Sequence, residues 1–327
     1  MINQIRLLFP KILGFLVLLG LCLACEQEPQ VPEQIAAIPV DLKITRFDLE
    51  MAQSSPEDLP KLKQKYPLLY PKQYPDSFWI AKMQDTLQEA LNREVAKAFP
   101  DFAGPKEDLD LLFKHIKYYY PETELPRVIT LTTDVDYRNK VILADSLLLI
   151  ATDTYLGADH EFYAGIPLYL VEDFRPDQMA IDVAYAFAKT KVRPPQARTF
   201  LAQMIYEGKL LYLMKRLFSL KSQAEVLGYS PQQLDWVQAN EAQIWTYFIE
   251  NDLLFSSDPK LTARFIDPAP FSKFYLELDN ESPGGVGRFV GMEIVKSYME
   301  NQETDVETLL GLSAQSLFEQ SNYKPRK

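Results

Sequence analysis

One carboxylate in the sequence lies where a carboxylate is energetically costly. Glu207 falls on the apolar side of a helix predicted over residues 196–218. Its neighbours on the helical wheel are Phe200, Leu211, Met214 and Phe218. A carboxylate beside apolar groups is unfavourable unless it has a partner or ligates a cation. The position of Glu207 therefore points to buried chemistry.

A polar, glycine-rich turn precedes a predicted helix near the C-terminus. Residues 279–288 read DNESPGGVGR, and exposed N–H groups at such a helix start can bind anions. The turn lacks the Lys and Ser/Thr of a Walker loop and the glycine spacing of a dinucleotide site. We favour a structural role, a helix start approached closely by another segment. Its best exposed candidates for contact with a ligand or partner are Asp279, Asn280, Glu281 and Arg288.

Catalytic patterns are scarce in this sequence. Its two histidines, His115 and His160, have no zinc-binding spacing, and Gly-x-Ser-x-Gly is absent. We expect a packed structural His115 and a loop-capping His160, with no cofactor, no metal and no enzymatic activity. The alternative is an envelope hydrolase in which Glu207 works with Asp279 or Asn280 in acid–base catalysis.

The N-terminus indicates export and lipidation. Residues 1–24 carry Arg6 and Lys11, followed by thirteen uncharged residues, as in a secretory signal peptide. The segment ends in CLAC, which is similar to a bacterial lipobox and makes Cys25 the predicted lipidated residue. Cys22 is a poorer acceptor because bulky Leu21 precedes it. We expect the lipid to anchor the protein in a membrane of the cell envelope, with the domain facing the periplasm. The sequence does not decide between the inner and the outer membrane.

Composition describes the rest of the chain. Residues 25–39 are rich in Pro, Glu and Gln and predict an extended tether, followed by one domain over residues 40–327. Both cysteines precede that domain, so disulfides cannot stabilise it. Removing Arg6 and Lys11 from the 34 basic residues leaves 32 against 45 acidic ones, a net charge of −13. That charge disfavours nucleic acid as a partner.

The hydrophobic pattern predicts an α+β fold, predominantly helical with a small sheet. Two helices, over residues 177–190 and 196–218, are the best core candidates and are separated by Pro194 and Pro195. Strands are predicted at Val40–Phe47, Arg127–Thr132 and Lys140–Ile150, with a short strand-like run at Phe274–Leu278. Further helices are predicted at about 76–99, 106–120, 231–251 and 286–300, with a final helical segment before the C-terminus and a loop over 252–270.

Several blocks of residues resemble the gliding-motility-associated lipoprotein B (GldB) family of Bacteroidetes. They are Tyr118–Pro121, Thr132–Arg138, Met204–Lys209, Asn240–Trp245 and Phe271 to Gly284. The resemblance extends from about residue 38 to residue 324. It implies a cell-envelope component needed for gliding, in contact with machinery that also serves type IX secretion, and it supplies no enzymatic activity.

A more distant resemblance is to zincin-like metallopeptidases. It implies that Lys140–Ile150 is the edge strand, that residues 177–190 occupy the active-site helix, and that Glu207 with Gly208 matches the third-ligand helix. Where that family has His-Glu-x-x-His, residues 182–188 read DVAYAFA. The resemblance therefore implies a peptidase-like scaffold without its metal site, acting as a pseudo-peptidase that binds a partner.

Overall fold

Four short strands form a mixed sheet in the computed structural model, which describes residues 31–276 and 279–326. The strands are β1 (Ile44–Arg46), β2 (Arg127–Leu131), β3 (Val141–Ala144) and β4 (Leu147–Ala151). The spatial order is β1-β2-β4-β3, with β2 parallel to β1 and β4, and β3 antiparallel to β4. The inner strands β2 and β4 are the more buried because they have a neighbour on each side.

Helices make up most of the remaining described chain. The first six are α1 (Glu33–Ala36), α2 (Phe47–Gln53), α3 (Leu59–Lys65), α4 (Asp76–Met83), α5 (Thr86–Ala98) and α6 (Ala103–Tyr119). After the sheet come α7 (Leu168–Val171), α8 (Met179–Lys191), α9 (Phe200–Leu217), α10 (Gln223–Leu227) and α11 (Pro231–Ala239). The last five are α12 (Glu241–Glu250), α13 (Lys260–Phe265), α14 (Val286–Asn301), α15 (Val306–Gly311) and α16 (Ala314–Ser321). The predicted helical α+β fold is confirmed.

The helices α8 and α9 are central to the main core, as predicted. α9 is buried on most of its surface, and its most extensive packing is against α14. Thr199 caps its N-terminus, because the Thr199 hydroxyl accepts from the Ala202 N–H at 3.3 Å. The segment with Pro194 and Pro195 separates the two helices, since proline lacks the N–H that a continuous helix needs.

A second, smaller hydrophobic cluster lies near the N-terminus, in residues 47–83, which we call the N-terminal lobe. Its buried members are Leu59, Leu62, Tyr66 and Tyr70. Around them pack Phe47, Met51, Leu69, Trp79, Ile80 and Met83. None of the four buried residues belongs to the main core. The lobe is therefore stabilised by its own apolar contacts.

Two helices predicted as continuous are each broken. The predicted helix 76–99 is α4 and α5, separated at Asp85, whose carboxylate caps α5 by accepting from the N–H groups of Leu87 and Gln88 at 2.8 and 2.9 Å. The predicted helix 231–251 is α11 and α12, with the break at Asn240. In both places a side chain that bonds to nearby backbone competes with the helix.

The predicted strands also differ from the observed ones. The strand predicted over Lys140–Ile150 is the β3–β4 hairpin, because Asp145 adopts a positive φ of 46° and reverses the chain. The strand at Val40–Phe47 shrinks to β1, and α2 begins at Phe47. Within Phe274–Leu278, the described residues 274–276 form no strand.

Three other segments depart from the prediction. The loop predicted over 252–270 contains α13, and the final helical segment is two helices, α15 and α16. Within the predicted tether, residues 33–36 form α1, which contacts α6, and the Lys114 ammonium donates to the carbonyl of Ala36 at 2.8 Å. The signal peptide, Cys25 and residues 26–30 lie outside the described residues.

Candidate functional site

Glu207 lies on α9 with two partners from other helices. Its side chain is 13% exposed. The Tyr185 hydroxyl on α8 is 3.2 Å from each carboxylate oxygen. The Nε of Arg288 on α14 is 3.7 Å from Oε2. The expectation that a carboxylate in this position needs a partner is met by a hydroxyl donor and a guanidinium.

Arg288 reaches Glu207 because the glycine turn brings α14 close to neighbouring backbone. A β-carbon on Gly284 would lie 2.0 Å from the carbonyl oxygen of Ala269, which only glycine avoids. Gly285 has a φ of 68°, a conformation that side chains disfavour. The structural role predicted for this turn, a helix start approached closely by another segment, is confirmed.

Glu207 and Arg288 line a cavity of about 300 Å³ between α8, α9, α14 and the loops that precede α8 and follow α13. Its carboxylates are Asp173, Asp182, Glu207 and Asp267, and its cations are Lys140 and Arg288. Aromatic rings cover part of the wall, from Tyr137, Tyr169, Phe174 and Tyr185. We call it the α9 cavity. Carboxylates outnumber cations in it by four to two.

A second carboxylate of the α9 cavity is also paired. The Asp182 carboxylate on α8 accepts from the Tyr155 hydroxyl at 2.7 Å and lies 2.5 Å from the Lys140 ammonium. That ammonium also stands 5.3 Å from the ring centre of Tyr155 and 5.4 Å from that of Phe174. Asp182 and Glu207 therefore each have one cation and one tyrosine hydroxyl.

Burial shapes the protonation of the site. It raises the pKa of the Asp173 carboxyl, an effect that Lys140 opposes. Burial, followed by the nearby charge of Glu207, raises the pKa of the Tyr185 hydroxyl, so this group stays protonated and donates its hydrogen bond.

The acidic turn predicted to accompany Glu207 lies elsewhere. Asp279, Asn280 and Glu281 form a short 3₁₀ turn, and none of them lines the α9 cavity. The Asp279 carboxylate accepts from the N–H groups of Tyr275 and Leu276, at 2.8 and 3.2 Å. The structure thus brings Arg288 to Glu207 and leaves the other three candidate residues in a separate turn.

Both histidines have structural surroundings. His115 is 1% exposed, with its ring nitrogens 3.0 Å from the carbonyl of Leu111 and 3.0 Å from the hydroxyl of Ser219. Burial lowers its pKa. His160 accepts from the N–H of Phe162 and caps a 3₁₀ turn, as expected. Within residues 31–276 and 279–326, no three His, Cys, Asp or Glu side chains are grouped to hold a metal ion.

Sequence reasoning missed three residues of the α9 cavity. Tyr185 follows Asp182 by one helical turn on α8, so a wheel of α8 would have placed both on one face. Lys140 precedes the edge strand β3 by one residue, and Asp173 lies in the loop before α8. No local pattern distinguishes these two from ordinary surface charges.

None of the helices in the described part of the chain is both long enough and apolar enough to cross a membrane. Neither the curated proteins nor the solved structures give a match, and no comparison supports the zincin-like scaffold. The sequence model of the family described as gliding motility protein GldB matches residues 28–325, almost the whole described chain. The chain therefore belongs to the GldB family of gliding motility proteins.

Proposed function

We propose that this protein is a lipid-anchored component of the cell envelope that is required for gliding and acts through contacts with the motility and type IX secretion machinery. Family membership supports the role in gliding. The lipobox ending at Cys25 supports the anchor, and acyl chains on one cysteine would hold the domain at a membrane. The protein is not an enzyme in this proposal.

The observation that carries the non-enzymatic role is the pairing in the α9 cavity. A catalytic base must be free to take a proton, whereas Glu207 has Arg288 and Tyr185, and Asp182 has Lys140 and Tyr155. The site is better suited to recognition than to proton transfer.

We further propose that the scaffold is peptidase-like and degenerate, as the distant sequence resemblance implies. β3 is an antiparallel edge strand, and α8 packs against it. Asp182 of α8 and Glu207 of α9 line the same cavity, where a metallopeptidase would hold its ligands. We infer that the cleft remains in this protein while the reaction is lost, and that the cleft binds a partner.

The partner surface extends beyond the α9 cavity. A neighbouring cavity of about 420 Å³ has Arg288, Asp173 and Gly228 in common with it and continues toward the exposed Leu168, which is 68% exposed. Arg288 thus stands between two openings. Its Nη1 donates to the carbonyl of Leu227 at 3.4 Å, and its Nε faces Glu207 without forming a hydrogen bond.

Cells in which the chromosomal gene is deleted should not spread. Two variants expressed in these cells separate a binding role from a catalytic one. Glu207→Gln keeps a hydrogen-bond acceptor for Tyr185, so it should restore spreading if the site binds a partner. If Glu207 were a catalytic base, this variant would not restore spreading. Leu168→Asp places a charge on the partner surface and should reduce spreading and crosslinking to other envelope proteins. Leu220→Asp is the matched control, because Leu220 is 43% exposed and lines neither cavity.

The opposite pattern would favour the hydrolase alternative. Loss of spreading in Glu207→Gln with an unchanged melting temperature, together with normal spreading in Leu168→Asp, would contradict the proposal. Normal spreading in the deletion strain would remove the role in gliding altogether.

A further inference from the structure

A larger cavity lies far from Glu207, where the N-terminal lobe meets the main body. Its volume is about 600 Å³, and α2 and α4 form one side while α5 and the end of β2 form the other. Its apolar lining includes Phe47, Met51, Leu69, Phe78, Trp79 and Met83. Methionine and aromatic side chains suit a site that accepts varied apolar groups. We call it the lobe cavity.

A second cavity of about 600 Å³ adjoins the lobe cavity. Phe78, Lys82 and Gln88 line both, so these side chains form a wall between the two. The remaining lining of the second cavity is mostly apolar and includes Leu87, Leu91, Val135, Phe162 and Ile166. Leu87 is 71% exposed there. The two cavities therefore stand side by side. The second is mostly apolar, whereas the lobe cavity also has polar and charged lining, including Asp48, Glu89 and Arg93.

Two side chains of the lobe-cavity lining each have a buried polar atom without a hydrogen-bond partner. One is the indole Nε1 of Trp79 and the other is the amide Oε1 of Gln88. Gln88 is 8% exposed, and its Nε2 donates to the side chains of Asn92 and Thr132 at 2.8 and 3.1 Å. With Nε2 engaged in these two bonds, Oε1 is the end of the amide that has no partner. Buried polar groups in folded proteins are normally paired, so one unpaired donor and one unpaired acceptor here are informative.

The far side of the second cavity is held in a strained conformation. Asp134 and Val135 have φ values of 57° and 58°, and a β-branched residue rarely adopts this region. The buried Asp153 carboxylate holds them by accepting from the N–H groups of Thr133 and Val135, both at 2.8 Å. Lys82 pairs with Asp134 at 2.9 Å. Strain of this kind is concentrated at binding sites, where the surrounding structure maintains it.

We propose that the two cavities bind an extended segment of a partner polypeptide. Two apolar side chains of the segment would fill the two cavities. The peptide group between them would accept from the Trp79 N–H and donate to the Gln88 Oε1. An acyl chain would fill the same spaces but offers neither a donor nor an acceptor. Both atoms are buried in the free protein, so binding requires the wall formed by Phe78, Lys82 and Gln88 to open.

The test uses the full-length lipidated protein in nanodiscs, labelled with 5-fluorotryptophan. The probe is the tripeptide N-acetyl-Leu-Ala-Phe-amide, observed by fluorine NMR, with the Trp79 resonance assigned from Trp79→Phe. We expect a saturable shift of the Trp79 resonance while those of Trp236 and Trp245 stay unchanged. Replacing the Leu-Ala amide by an ester removes one donor, and replacing the Ala-Phe amide removes the other. At least one of the two esters should bind about fivefold more weakly or worse.

Variants test whether the probe binds in the two cavities. Leu87→Asp puts a charge into the second cavity at an exposed position and should abolish the shift. Phe255→Asp is the matched control, since Phe255 is 63% exposed and lines neither cavity. Gln88→Met removes the acceptor and should weaken binding about fivefold or more.

Three outcomes would overturn the proposal. One is the absence of any Trp79 shift at millimolar probe. Another is equal binding of the tripeptide and both esters, which would show an apolar pocket without recognition of the peptide group. The third is binding that survives Leu87→Asp. None of these outcomes bears on the α9 cavity, so the two proposals fail separately.

Discussion

Gly208 and Gly291 meet where α9 crosses α14, and a β-carbon on Gly208 would lie 2.2 Å from the carbonyl oxygen of Gly291. A β-carbon on Gly291 would in turn lie 1.9 Å from the carbonyl oxygen of Met204. Because these contacts are with backbone, the helices would have to separate to accept any side chain. The same crossing holds Glu207 beside Arg288.

Gly291→Ala should therefore destabilise the fold by about 1–3 kcal/mol or more. Chemical denaturation measures the change in the free energy of unfolding. Gly104→Ala is the control, because Gly104 lies in the first turn of α6 with nothing within 4 Å of an added β-carbon. Equal stability of the two variants would contradict the observed crossing.

Lys209 predicts an unusual dependence of stability on pH. It is 5% exposed, donates to the carbonyls of Leu310 and Leu312 at 3.2 and 2.7 Å, and burial lowers its pKa to about 8. Between about pH 8 and the ordinary lysine value of 10.5, the unfolded chain holds a proton that the folded chain has released. The free energy of unfolding therefore rises with pH across this window.

Removing that lysine should flatten the rise. Lys209→Met should reduce the stability gained between pH 8 and 10.5 by about 3 kcal/mol, the free energy that corresponds to the shift in pKa. Unfolding is followed in denaturant at several pH values. Lys215→Met, a partly exposed neighbour on α9, should keep the slope of the parent protein.

The hydroxyl of Tyr323 donates to one oxygen of a buried carboxylate, that of Glu241. Glu241 is 1% exposed, and its Oε1 accepts from that hydroxyl at 2.7 Å, while the Tyr323 ring stands perpendicular to Trp245 with centres 5.1 Å apart. Tyr323→Phe keeps the ring packing and should lower the free energy of unfolding by about 1–3 kcal/mol. Tyr118→Phe, at an exposed tyrosine whose hydroxyl bonds to Gln34, should change it little.

The same pair has a pH signature. Burial raises the pKa of Glu241, and the bond from Tyr323 opposes that rise. A carboxyl with a raised folded pKa favours the folded state at acidic pH, and this stability is lost as pH rises through the folded value. Tyr323→Phe raises that pKa further, so its melting temperature should fall more steeply above pH 4.5 than that of the parent. Parallel curves of melting temperature against pH for the parent and Tyr323→Phe would contradict the expectation.

Lipidation of Cys25 predicts release from membranes. Cys25→Ala should leave either soluble protein or an unprocessed precursor, and metabolic labelling with an alkyne fatty acid should lose its signal. Cys22→Ala is the matched control and should remain labelled. Labelling that persists in Cys25→Ala would assign the anchor elsewhere.

The purified protein should carry little zinc. A catalytic zinc site needs three protein ligands, and the α9 cavity offers paired carboxylates and no histidine. We expect less than about 0.1 equivalent of zinc by elemental analysis, an estimate from the missing ligands. EDTA should leave the melting temperature unchanged. Stoichiometric zinc whose removal lowers stability would overturn the pseudo-peptidase proposal.

The sequence predicted those features that have a local signal. Apolar periodicity located α8 and α9, and the same wheel showed that Glu207 would need a partner. The break at Asp85 was missed because the apolar positions continue across it while the cap depends on one carboxylate. The reversal at Asp145 was missed for a similar reason, since apolar β3 and β4 read as one run.

The partners in the site could not be predicted because tertiary packing selects them. Arg288 was a candidate for its place in an exposed turn, yet only the crossing of α9 and α14 brings it to Glu207. Asp279 was an equally good candidate in the sequence. In the structure its carboxylate accepts hydrogen bonds from backbone N–H groups near its own turn and does not reach Glu207. The lobe cavity had no sequence signal, since its wall combines residues of α4 and α5 that were predicted as one helix.

The separate hydrophobic cluster of the N-terminal lobe has a consequence for cooperativity. Because Tyr66 and Tyr70 are buried against lobe residues rather than the main core, the lobe can lose its structure while α9 and α14 keep theirs. Amide hydrogens of α3 would then exchange with solvent through local unfolding of the lobe, which requires less free energy than the unfolding that exposes those of α9. The lobe and the main core would then unfold as two units. The boundary between them would follow the lobe cavity, between α2 and α4 on one side and α5 and β2 on the other.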